Sequence, residues 1–138
     1  MSVRLGWCLG FVLGVVGCGE GAAEPSALPY PASATSSAGS FLVVATEPGG
    51  APIVRGVHDF DVQIQRVGDT TPATGLSLDV IPWMPAMGHG APYDGDSIEV
   101  GDGRYRLEGI SLFMAGVWEL RVALEPEGEH AILAFDVR

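Results

Sequence analysis

The chain has 138 residues, with 17 acidic against 7 basic, a formal net charge of −10 and no lysine. That length allows one domain and little more. Such acidity repels nucleic acid and anionic lipid headgroups, which excludes both as main partners.

Residues 1–17 read as a leader. Arg4 supplies a positive start, and Leu5 to Val16 is an apolar run. At roughly 12 residues against the roughly 20 needed to span a bilayer, the run fits a signal peptide. Val15-Val16-Gly17-Cys18 closes it and resembles the lipobox of bacterial lipoproteins. By that resemblance Cys18 becomes the lipidated N-terminus of an exported chain, anchored in a bilayer and facing the periplasm. Gly19 follows rather than an aspartate, which favours the outer membrane. Cys8 and Cys18 are the only cysteines. The folded part then has neither a disulfide nor a thiolate ligand, and any soft-metal site in it must use methionine and histidine.

Residues 18–39 read as the lipidated cysteine and a flexible tether of Gly, Ala, Ser, Pro and Thr, too poor in apolar side chains to offset its ordering entropy. About 21 such residues reach up to roughly 70 Å.

From Ser40 to Arg138 short apolar runs are split by Gly, Pro and Asp. Phe41 to Ala45 opens. Phe60, Val62 and Ile64 alternate with polar neighbours, as do Leu76, Leu78 and Val80. Ile98 and Val100 lead to a Gly101-Asp102-Gly103 turn, from which Tyr105 and Leu107 return. Trp118 to Leu124 and Leu133 to Val137 complete the set, with Trp118 and Phe135 as core residues. Seven short strands at this spacing predict an all-β, immunoglobulin-like β-sandwich, with an open barrel as the alternative.

The stretch Pro82-Trp83-Met84-Pro85-Ala86-Met87-Gly88-His89-Gly90 stands apart. Its prolines exclude a helix and disfavour a central strand, so it reads as an ordered loop. Thioether and imidazole together suit a soft ion, Cu(I) above all. If the strands alternate up and down, Met84, Met87, His89 and Met114 gather at one end, with His58 as a possible addition. Trp83 would cover the ion with its indole face. His130 falls at the other end, beside the tether. Packing competes with this reading, because methionine fills irregular gaps. A docking loop for a respiratory or transport membrane complex competes as well.

Met-Pro-x-Met-Gly-His at Met84–His89, Gly-x-Tyr at Gly103–Tyr105 and Met-x-Gly-x-Trp at Met114–Trp118 resemble the YtkA-like domain family. The resemblance spans about Ser40 to Arg138. It implies a small exported β-sandwich, related to FixH-type proteins and similar in layout to periplasmic copper carriers. It places ligands at Met84, Met87, His89 and Met114, and a copper donor or acceptor protein as partner. An enzyme is not expected: Ser97 and Ser111 belong to no nucleophile motif, and no Gly-rich phosphate loop precedes a helix. Asp94 and Asp96 are too few for a calcium loop.

Overall fold

The computed structural model describes residues 28–138; the expected leader over 1–17 and the lipidated Cys18 lie outside them. Among the described residues there is no helix, and nine strands run in the order β1 (Ala32–Thr35), β2 (Phe41–Thr46), β3 (Gly56–Arg66), β4 (Ser77–Met84), β5 (His89–Gly90), β6 (Ser97–Gly101), β7 (Arg104–Leu112), β8 (Gly116–Glu125) and β9 (Glu129–Val137). They form two antiparallel sheets, ordered β1–β2–β3–β7–β6 and β5–β4–β8–β9. Each inward row is apolar because side chains alternate across a strand. Phe41, Val43, Phe60, Val62, Ile64, Leu107 and Ile110 of the first sheet are buried against Val80, Leu120, Val122, Leu133 and Phe135 of the second. Phe60 and Phe135 meet between the sheets with ring centroids 5.3 Å apart. Buried Tyr105 ties down the β3–β4 connection: its hydroxyl donates to the Ala73 carbonyl at 2.8 Å and accepts from the Leu76 amide at 3.1 Å.

Two expectations are corrected. The tether read over 18–39 contains a strand, because β1 pairs with β2 from Ala32↔Ala45 to Thr35↔Leu42. Ala-Ser-Ala-Thr lacks the large alternating side chains that mark a strand in sequence. The neighbours order it instead: Ala32 is buried, and the Tyr30 hydroxyl bonds to the Glu47 backbone.

The second correction is Pro82, which sits inside β4 opposite Leu120 of β8. In an antiparallel strand a residue's N–H and C=O point the same way. The Pro82 carbonyl accepts the Ala91 amide at 3.0 Å, so its nitrogen faces away from β8. The missing donor therefore costs the β4–β8 ladder nothing.

The extra strand reverses the direction in which the chain joins the domain. One end of the sandwich carries the β2–β3, β4–β5 and β7–β8 connections; the other carries the β1–β2, β3–β4, β6–β7 and β8–β9 connections. The Leu28 amide donates to Asp136 Oδ2 at 2.7 Å, beside Val137, which pairs with Gly116 at the start of β8. The chain thus joins at the end that carries Met84, His89 and Met114, not at the end of His130 where the tether was expected.

Candidate functional site

The period-two pattern of β4 sends Leu78, Val80, Pro82 and Met84 inward and Trp83 outward. Met84 is 4% exposed. After it the chain reverses over Pro85 to Gly88, closed by the Met87 and Gly88 amides, which both donate to the Met84 carbonyl at 3.1 Å. His89 then pairs with Met84, and Gly90 with Trp83. Cross-strand partners project to the same face with Cβ atoms about 5 Å apart. Met84 and His89 are therefore neighbours by register, one in the core and one at its rim. The His89 ring's one hydrogen-bonding contact among the described residues is Nδ1 to the Gly90 carbonyl, at 3.4 Å.

Met114 comes from the β7–β8 connection. Its carbonyl accepts the indole N–H of Trp118 at 2.9 Å, which fixes this loop to a side chain that is 2% exposed. A groove of about 360 Å³ opens between the two connections, lined by His89, Gly90, Ala91, Pro92, Ser111, Phe113, Met114 and Trp118. Beneath it Met84 reaches toward Gly116. A Cβ on Gly116 would lie 2.8 Å from Met84 Cε, and the φ of +131° there also disfavours any other residue.

The remaining sequence-predicted positions fall elsewhere. Met87 stands at the turn, 52% exposed, and does not line the groove. His58 lies at the same end of the sandwich, but its ring is turned to β2 and the β2–β3 loop, with Nδ1 3.4 Å from Glu47 Oε1 and Nε2 2.7 Å from the Val54 carbonyl. Trp83 is on the outer face, opposite to Met84. There Arg121 stacks on its ring with Cζ 4.5 Å from the centroid, held by two 2.9 Å bonds to Glu119. The inner edge of the Trp83 ring covers Gly90, whose missing side chain allows the Pro82 carbonyl to approach. His130 is at the far end, its amide bonded to the Ser37 hydroxyl.

Chemically, the arrangement offers an imidazole and a thioether on one apolar groove and a second thioether just below. Among the described residues no group of three or more His, Cys, Asp or Glu side chains is placed to hold a metal ion, so a site here must use methionine. Pro92 and Ser111 were not legible as groove residues. Their only sequence signal was nearness to Met114 and His89.

No family model, no curated protein and no solved structure matches the chain.

Proposed function

We propose that this chain is a membrane-anchored exported lipoprotein whose sandwich binds Cu(I) as a carrier or buffer. The donors are Met84, His89 and Met114, and Met87, exposed at the turn, is a fourth candidate. The carrying observation is that Met84 pairs with His89 across the hairpin while Met114 shares the groove with His89. Thioether and imidazole favour a soft ion, and methionine's three rotatable bonds let its sulfur swing to meet one. The sheet order supports an immunoglobulin-like assignment. Strands β2–β3–β7–β6 and β4–β8–β9 follow the two sheets of that fold, with β5 as the strand added beside β4 and β1 as an extra edge. The YtkA-like resemblance rests on the motif residues alone.

Competition for Cu(I) with a chromogenic chelator tests the proposal. The wild-type chain should withdraw one Cu(I), and a His89→Ala/Met114→Ala chain should do so at least tenfold less well. A wild-type chain that never competes overturns it. Phe113, 63% exposed beside Met114, favours the second reading, in which this end docks a membrane complex without metal.

A further inference from the structure

We propose that the end of the sandwich bearing the candidate site rests against a zwitterionic lipid surface; this goes beyond metal binding and rests on the lipoprotein reading of Cys18. Three observations converge on it. The first is where the chain joins: Leu28 is fixed to Asp136 at this end, ten residues after Cys18. Ten residues span at most about 35 Å, so an acyl-anchored chain keeps this end close to the headgroups. A short tether also sets a local concentration in the millimolar range, so weak apolar contacts suffice.

The second observation is the distribution of exposed apolar side chains. Of the eleven large exposed apolar side chains among the described residues, six (Val54, Val57, Met87, Phe113, Met114 and Val117) lie on the connections or strand starts of this one end, against Val67 and Val100 at the other. The six come from both sheets, and Phe113 and Met114 among them line the groove. Residues that insert only partly between headgroups are of this kind, as in interfacial anchors.

The third is charge. The chain is strongly acidic, yet among the described residues at this end Glu119 is paired with Arg121 at 2.9 Å, beside Glu47, Asp59 and Asp136. Arg55 and Arg138 also lie here, joined through backbone bonds next to Ile53. Asp69, Asp102, Glu125, Glu127 and Glu129 lie at the opposite end, against Arg66 and Arg104. The near end is thus closer to charge balance than the far one, which favours this orientation at a phosphate-bearing surface.

The test uses the full lipidated chain in vesicles of phosphatidylcholine and phosphatidylethanolamine. Because residues 28–138 contain no cysteine, Ala115→Cys at the near end and Glu127→Cys at the far end each give one site for an environment-sensitive dye. The dye at 115 should shift to the blue and lose most of its quenching by aqueous iodide, while the dye at 127 stays fully quenched. Adding Phe113→Asp and Val117→Asp should restore quenching at 115. Equal quenching at 115 and 127 in a membrane-attached chain overturns the proposal. Shielding at 115 that fades as protein is diluted into excess lipid also overturns it, in favour of a second copy. If the unaltered chain, like its Cys18→Ser variant, stays in the soluble fraction, the anchor reading itself falls and this proposal with it.

Discussion

Met84 and His89 face each other across the β4–β5 hairpin, the first closed into the core and the second open to solvent. One side chain thus belongs to stability and to the candidate site at once, while its partner belongs to the site alone. This division lets folding and ligand binding be separated by substitution.

His89→Ala should leave the urea midpoint within about 0.5 kcal/mol of the wild type, as for an exposed position. It should weaken Cu(I) retention at least tenfold in the chelator assay. Met84→Ala should weaken Cu(I) retention and also lower stability, since emptying a buried methionine costs about 2–5 kcal/mol. Met87→Ala, at the exposed turn, should change Cu(I) retention less than His89→Ala.

Gly116→Ala should destabilise the domain by about 1–3 kcal/mol, through the positive φ and the approach of Met84 Cε. Denaturant melts of Gly116→Ala, Met84→Leu and the double variant form a cycle. A coupling near zero would show that strain, not the Met84 contact, carries the loss.

Trp118→Ala should lower stability by about 3–5 kcal/mol and leave most chains unfolded. Trp118→Phe keeps one aromatic ring in the core but frees the Met114 carbonyl at the groove edge. It should cost less than Trp118→Ala, about 1–3 kcal/mol for the lost hydrogen bond and the smaller ring. Its further effect should be on Cu(I) retention, because Met114 loses its fixed place.

Stability should fall with acid in a way traceable to Glu129. The Ser36 hydroxyl, then that of Ser40, holds the Glu129 carboxyl below the usual carboxylate range, and Thr71 does the same for Asp69. A carboxyl depressed in the folded state stabilises fully above its unfolded value and loses that contribution as pH drops through the folded one. The urea midpoint should therefore hold above about pH 5 and decline below it. Glu129→Gln should flatten part of that decline.

Sequence patterning located the seven larger strands because Phe60-Val62-Ile64 and Trp118-Leu120-Val122-Leu124 alternate without ambiguity. It also sorted Met84, His89 and Met114 to one end, since each lies next to a connection whose side follows from strand parity. It failed at β1, where Ala32 and Ala34 carry almost no hydrophobic signal and pairing with β2 provides the order. Losing one strand inverted the predicted position of the tether. It also took Pro82 for a loop residue, because no pattern reveals which way a strand residue's backbone groups point. Trp83 was misplaced relative to Met84 for the same reason: adjacent residues in a strand face opposite sides.

The orientation of Pro82 has a consequence for solubility. Leu78, Val80 and Pro82 aim their backbone groups at the flank of β4, and the two residues of β5 cover only its last stretch. On that flank the Leu78 amide is taken by the Ser97 hydroxyl at 3.0 Å, and Pro82 presents no donor at all. A stray strand that tried to zip onto this margin would find a sealed position at each end of its path. The proline that interrupts the sequence pattern is thereby a guard against edge-to-edge self-association of a β-rich chain.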